Sequence, residues 1–431
     1  MISGWGKFNN YSVNTFKPKT IKELKDLIKN PKYQNFIGRG NGRSYGDSSI
    51  NKNILSLKNL KKVIRIDFQN KIVNCTSNVL LKDLNQKLLC KNLFLRVSPG
   101  TQYITIGGAI ASDIHGKNHH NEGSFSDHVL EFEVMLANGK IKKCSKKKNS
   151  KLFYSTCGGM GLTGIILSAK FSVKDIKSNS IIQNSIKTNS LKETLEAFKT
   201  KHNYKYVVAW IDMSAKNINL GRGIIYCADH GVEDVKKINQ KLKINFNFPN
   251  FFLSSYIFRI LNTVFYISNK KIKKEKIHLN KFFYTLDNIL LWNNFYGRKG
   301  FVQIQILIKP KNALNNIKKI IKFFQFNGQY SFITTLKKMG DANRSYLGFS
   351  EPGYTLTADI PNNSKLKNFY KQLEVKLLKI GAKTYLTKDS LMSEKYFKKT
   401  YKNYNKFINY KKHIDPKSKF TSYQSLRLGI K

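Results

Sequence analysis

Proline and arginine are scarce in this 431-residue chain, with 8 Pro and only nine Arg, so that 67 of its 76 basic residues are lysine. Acidic residues are scarce too, 26 in all, leaving a formal net charge of +50. Such a charge invites a nucleic-acid reading. The lysines, however, are scattered from Lys7 to Lys431 rather than gathered in one stripe. Abundant Lys, Asn and Ile beside scarce Pro and Arg is the signature of AT-rich codon drift at surface positions. That drift acts on solubility and association, not on fold or chemistry, and no nucleic-acid partner is expected. The five cysteines are odd in number and contain no Cys-x-x-Cys pair, which excludes a disulfide framework and structural zinc and fits reduced thiols. The N-terminus has no apolar segment of a secretory signal. No run of about 18 residues is apolar enough to span a bilayer; the nearest, Phe251 to Ser268, is broken by Arg259. A cytoplasmic protein is expected. A G-x-G-x-x-G turn with its downstream acidic residue is missing, as is a Walker A lysine, which excludes the common Rossmann and P-loop sites.

What is present is enough apolar matter for two domains, 41% of residues including 29 Phe and 22 Tyr. Thr20 to Glu23 reads as a capping box opening a helix with Ile21, Leu24, Leu27 and Ile28 on one face. Lys71 to Thr76 reads as a strand, and Leu80, Leu84 and Leu88 mark a second helix. Leu130, Phe132, Val134 and Leu136 alternate on a strand that Asn138-Gly139 closes as a type I′ hairpin. Near Ile176 the composition turns to Ser, Asn and Lys, marking a boundary. Beyond it strands (206–212, 301–308) alternate with helices such as 312–324. Lys270 to Lys276 reads as an exposed charged loop.

Four glycine clusters carry the functional reading: 38–47, 99–117, 123–125 and 158–164. Glycine lets the backbone approach a ligand and point successive N–H groups into one anion-binding hollow. Four such turns in one domain, interleaved with Ser, Thr, Asp and His, suit an extended dinucleotide cofactor held outside the Rossmann pattern.

The clusters also resemble a known family. Gly4-Trp-Gly6, Arg39 to Asp47, Asp113-Ile-His-Gly-Lys-Asn-His-His120, Gly158 to Ile166 and Thr387-Lys-Asp-Ser390 are similar to FAD-dependent oxidases with the vanillyl-alcohol-oxidase and p-cresol-methylhydroxylase (PCMH) type of flavin domain. Within that superfamily they resemble the decaprenylphosphoryl-ribose 2′-oxidases, over essentially the whole chain. The resemblance implies an α+β fold: a two-subdomain flavin domain (1–176), an α+β substrate domain with a mainly antiparallel sheet (177–382), and a C-terminal segment (383–431) returning to the flavin. It implies FAD held by Gly38, Arg39, Gly40, Asn41, Gly42, Arg43, Ser44, Tyr45, Gly46 and Asp47. Gly100, Thr105, Ile106, Gly107, Gly108, Ser112, Asp113, Ile114, His115, Ile166 and Tyr385 are implied as well. Arg43 stands where relatives that attach flavin covalently place a histidine, so the FAD is expected to be non-covalent. Lys388 matches the family's catalytic lysine, with His115 beside it to stack near the flavin or orient Lys388. Trp210, Tyr296, Gln303, Gln305 and Lys337 are implied to line the sugar pocket. Gln303 and Gln305 alternate on a strand and so share one face. Thr357 replaces a cysteine of the mycobacterial members, and Val208 a pocket serine.

The implied activity is oxidation of the 2′-hydroxyl of a polyprenylphosphoryl ribose. It is the first half of an epimerisation completed by an NADH-dependent short-chain ketoreductase, serving arabinose-containing cell-envelope glycans. Phe251 to Ile267, followed by the lysine run, suits peripheral contact with the inner face of an anionic plasma membrane. The rival readings are an aldonolactone or alditol oxidase acting on a free sugar, and a cofactor-free basic nucleic-acid-binding protein. His119 and His120 are adjacent and lack a carboxylate partner, so no metal is expected.

Overall fold

The Thr20 hydroxyl accepts the Glu23 amide at 3.1 Å and starts a helix over Ile21–Lys29. The Glu23 carboxylate turns back to the Lys19 N–H at 2.9 Å, one residue upstream of the reciprocal capping-box bond. In this computed structural model, which describes residues 1–236 and 242–431, that helix bears with Leu24 and Ile28 on a three-stranded parallel sheet. Its central strand, Asn53–Leu55, lies between Asn14–Phe16 and Phe36–Gly38. A six-stranded antiparallel sheet follows. Its long strand, Ile165–Asp175, pairs with Ile72–Thr76 on one side and with Val129–Met135 and then Leu93–Leu95 on the other. Helix Leu81–Leu89 buries Leu81, Leu84 and Leu88 in the same core. Two local expectations are corrected. The hairpin turns through Ala137-Asn138-Gly139, Leu136 N–H bonding Lys140 O at 2.9 Å, and only Gly139 takes positive φ (+74°), so the loop has three residues and is not type I′. Leu130 is exposed while Val129, Phe132 and Val134 are buried, because Leu130 is the extra residue of the bulge opposite Lys170/Phe171, which shifts the inward stripe by one position.

The second half of the chain builds one eight-stranded antiparallel sheet. Its order is Ile272–His278, Ser180–Thr188, Gly223–His230, Tyr206–Ile211, Thr334–Met339, Gly353–Pro361, Phe301–Ile308 and Lys383–Thr384. Helices Leu191–Thr200, Ala313–Phe326 and Leu366–Lys379 cover one face, meeting Val302, Ile304, Ile306 and Ile308. Alternation then turns Gln303 and Gln305 to the opposite face, where the register sets Gln303 against Asp359 and Gln305 against Thr357. The lysine run is not a loop but the edge strand Ile272–His278; lysines on an edge discourage pairing with another chain, so charge marked an edge rather than a break.

After Lys383–Thr384 the chain turns through Leu386–Lys388 and runs back to the first sheet. Phe36 N–H donates to Lys419 O at 2.7 Å and Thr421 N–H to Phe36 O at 3.0 Å. Asp415 anchors this return, accepting Lys411 Nζ at 3.2 Å and the Lys419 and Phe420 amides at 2.8 and 2.9 Å. The class is α+β with mainly antiparallel sheets.

Candidate active site

The glycine loop 38–44 runs along one wall of a cavity of about 280 Å³. Among the described residues the amides of Gly40 to Ser44 donate to no protein acceptor, and successive free N–H groups are the construction of an anion-binding hollow. Close approach explains the glycines. A Cβ on Gly40 would stand 2.4 Å from Thr105 Oγ1, and Gly42 takes φ +63° with its would-be Cβ 2.4 Å from the Arg39 guanidinium. Thr105, Gly107, Gly108, Ser112 and Ile114 form the facing wall. Thr105 caps helix Ile106–Ala111 by accepting the Gly108 amide at 3.1 Å. The fourth glycine cluster contributes Met160, Gly161 and Gly164, with Ile165 and Ile166 beyond. Ser77, Asn78 and Leu55 to Lys58 also line the cavity. Nothing local marked them: they are brought in by strand pairing, not by glycine.

Arg39 and Arg43 line the cavity as well, Arg39 bonding Ser3 O at 2.8 Å and Arg43 laying its guanidinium over the Trp5 ring at 3.8 Å with a buried, unpartnered Nε. The remaining expected cofactor residues stand behind this lining. Gly46 and Asp47 meet the C-terminal segment instead: Asp47 pairs with Arg427 at 2.7 Å, and a Cβ on Gly46 would stand 1.9 Å from Asp389 O. Gly100 lies in a loop whose neighbours Thr101 and Gln102 bond Asp287 at 2.7 and 2.8 Å. Ile106 is core. Asp113, at φ +43°, accepts the Ser126 amide at 3.0 Å and Asn343 Nδ2; burial pushes its carboxyl up to about 6. Gly123 ends the short helix His119–Glu122 and is not in the cavity wall. Tyr385 links the two halves, donating to Ser112 O at 2.5 Å while its ring lies 5.5 Å from that of His115.

A dense polar cluster occupies the inner face of the large sheet. Lys388 Nζ lies 4.1 Å over the Tyr45 ring. Burial drives the Lys388 amine down and the Asp359 carboxyl up, and each opposes the other's shift by its charge. Asp359 accepts Gln303 Nε2 at 2.5 Å from the neighbouring strand. Asp359 was not among the expected site residues; the signal was its alternation with Thr357, but its partner emerges only from register. Tyr296 is fully buried, stacked 4.1 Å from Phe301, with its hydroxyl beside the Asp359 carboxyl. His115 stands between Gln305 Nε2 (2.9 Å from its Nε2) and Lys337 Nζ (3.1 Å from its Nδ1). Desolvation, then the Lys337, His119 and Lys388 charges, hold His115 well below the usual histidine range. Burial, reinforced by Lys388 and Lys117, lowers Lys337 to about 7. Lys117 is half-buried, pushed by desolvation down to about 7, its Nζ bonded to Phe282 O and 4.1 Å over the Phe282 ring. Trp210 spends its indole N–H on Phe332 O at 2.8 Å, packing against helix Ser255–Ser268. His119 accepts the Gly340 amide on Nδ1 at 3.0 Å and contacts Ser124 Oγ with Nε2 at 3.2 Å.

Residues 14–145 match the FAD binding domain family. Over its full length the chain is 32% identical to decaprenylphosphoryl-β-D-ribose oxidase of Mycolicibacterium smegmatis, covering 97% of that protein. The chain belongs to the decaprenylphosphoryl-ribose oxidase family. It is an FAD-dependent oxidoreductase of the PCMH superfamily. Similarity to L-gulonolactone oxidase of Bos taurus is narrower, 27% over 157 residues, 35% of each chain. Cytokinin dehydrogenase 3 of Arabidopsis thaliana is 27% identical over 171 residues, 36% of this chain and 32% of that one. The free-amide hollow and the glycines that a Cβ would fill fit the FAD of this family, the amides of 40–44 suiting its pyrophosphate.

Proposed function

We propose that this oxidase removes hydride from the 2′-carbon of a polyprenylphosphoryl ribose, giving the 2′-keto sugar. The observation that carries the reading is the gathering of Lys388, Lys337 and His115 on the sheet face that adjoins the glycine-lined cavity, in a chain similar end to end to an enzyme named for that substrate. Residues 1–176 and the returning segment 383–431 hold the flavin, and 177–382 present the sugar. Bound FAD supplies the hydride acceptor; the protein supplies position and charge. Lys388, fixed over Tyr45, binds the reacting hydroxyl and offers a cation to the negative charge that two-electron reduction creates. Gln303, Gln305 and Tyr296 present polar groups to the sugar. The FAD is non-covalent: Arg43, which has no nucleophilic ring nitrogen, lies against Trp5 at the position in question.

The keto sugar is then a substrate for an NADH-dependent short-chain ketoreductase, completing an epimerisation that supplies arabinose for envelope glycans. The enzyme works at the inner face of the plasma membrane. No helix among the described residues is long and apolar enough to cross a bilayer. Helix Ser255–Ser268, however, exposes Tyr256, Ile260, Val264 and Ile267 on one stripe, beside the lysines of the edge strand. That combination suits an interfacial helix on anionic lipid. The test is anaerobic bleaching of the holoenzyme's flavin against lipid-linked and free sugars. Rapid bleaching by polyprenylphosphoryl ribose is expected. Bleaching only by free aldonolactones or alditols would replace this reading with that of a soluble sugar oxidase.

A further inference from the structure

His115 is approached by two donors at once, Gln305 Nε2 at 2.9 Å and Lys337 Nζ at 3.1 Å. Held neutral in its buried setting, the imidazole has one N–H and one lone pair, so it cannot accept from both. One neighbour must accept. A glutamine amide and its 180° flip occupy the same space, so Gln305 can offer an oxygen, whereas Lys337 has only donors once protonated, and a single arrangement that serves its neutral and charged forms alike must have it donating to His115. The consistent arrangement therefore turns the Gln305 carbonyl oxygen to His115 Nε2–H and leaves the Nδ1 lone pair facing Lys337. The groups around the Lys337 amine are the imidazoles of His115 and His119 and the ammonium groups of Lys388 and Lys117, with Asp359 farther off beside Lys388. No carboxylate pairs with Lys337 among the described residues.

We propose that Gln305, His115 and Lys337 form an amide–imidazole–amine relay in which Lys337, as a neutral amine, takes the proton of the alcohol being oxidised. The proposal rests on the alcohol-oxidase reading above. As the C–H electron pair leaves as hydride to the oxidised flavin, the O–H bond breaks and its electrons become the C=O π bond. The proton goes to the Lys337 lone pair, and the new ammonium donates to His115 Nδ1. Lys337 is the catalytic base; His115 and Gln305 are positioning residues that give its charged form an acceptor. Lys388, drawn toward its charged form by Asp359, remains the cation facing the flavin.

Two measurements on the holoenzyme test the relay. In ¹⁵N-histidine spectra, assigned with His115→Gln, His115 is expected as the Nε2–H tautomer, switching or becoming mixed in Gln305→Leu. An Nδ1–H tautomer in the wild type overturns the relay whatever the substrate proves to be. Lys337→Met is expected to keep its FAD and to slow substrate-driven bleaching by about 10²–10⁴-fold, with partial rescue by ethylamine that rises with pH. Bleaching by Lys337→Met at the wild-type rate and pH profile also overturns it. If Lys337→Met loses FAD, the tautomer decides. If polyprenylphosphoryl ribose fails to bleach the wild type and another alcohol succeeds, the substrate assignment falls, and the same variants are read with that alcohol.

Discussion

Arg427 is the single side chain whose removal the structure prices most directly. Its Nη2 lies 2.7 Å from Asp47 Oδ1 and 3.0 Å from Asp389 Oδ2, and its Nη1 donates to Met392 O at 2.7 Å. Asp47 ends the glycine-rich loop, and Asp389 follows Lys388, so one guanidinium ties that loop to the turn carrying Lys388. Tyr45 N–H to Thr387 O at 3.1 Å and Gln424 Nε2 to Asp389 Oδ2 at 3.0 Å complete the clamp. Arg427→Ala leaves two carboxylates with side-chain exposures of only 10% and 0% without their cation. Breaking a buried pair this way costs about 3–5 kcal/mol. Because the Arg427 side chain is itself 25% exposed, the low end, about 3 kcal/mol, is appropriate. With an unfolding entropy of about 2.1 cal/mol/K per residue, that corresponds to a fall in Tm of about 3 °C for a chain of this length.

The pH dependence gives the sharper check. Burial already holds the Asp47 carboxyl above its ordinary value, against the pull of Arg427. Removing the guanidinium raises it further. A carboxyl raised on folding favours the protonated native state, so its penalty is present at high pH and is relieved as pH falls through the raised value. The Tm deficit of Arg427→Ala should therefore be largest near pH 8 and shrink toward pH 5, read from flavin fluorescence released on heating. Arg427→Lys, keeping a charge but not the fork, should fall between. A deficit below about 1 °C, or one unchanged between the two pH values, would refute the clamp.

Lys388→Ala should retain yellow FAD yet lose substrate-driven bleaching by about 10²-fold or more, measured anaerobically; unchanged bleaching would remove the role assigned to Lys388. Gly40→Ala pushes a methyl to within 2.4 Å of Thr105 Oγ1, costing about 1 kcal/mol if the cap on helix Ile106–Ala111 is lost. Titration of the apoprotein should show FAD binding about 5-fold weaker or more. Ile260→Asp, on a side chain 44% exposed, should reduce co-sedimentation with phosphatidylglycerol vesicles while leaving flavin content intact. Equal sedimentation would count against the interfacial helix.

How far the sequence could be read depended on whether the cause of a feature was local. Gly42 and Gly161 take φ of +63° and +79° and line the cavity; a position that tolerates only glycine announces itself in one residue. Gly123 takes φ +66° for a helix end instead, so the same signal does not distinguish a cradle from a stop. Gln303 and Gln305 were legible as a pair because strand period is local. Asp359 was not, because its tie to Gln303 depends on the register of two strands 56 residues apart. Arg427 meets Asp47 across 380 residues, and no pattern in either segment forecasts the other.

Lysine was the most misleading residue. Among 67 of them, the run from Lys270 to Lys276 read as a loop and is an edge strand, while the three in the polar cluster stand apart in the sequence, half-buried. Lys117, Lys337 and Lys388 look like any drifted surface lysine until the fold half-buries them beside one another. Burial then costs each charged form, and their proximity adds to that cost. Desolvation lowers all three, and a carboxylate, Asp359, opposes that shift at Lys388. The character of this cluster therefore lies less in which residues the chain contains than in how the fold brings a turn with Lys117, a strand with Lys337 and a second turn with Lys388 together.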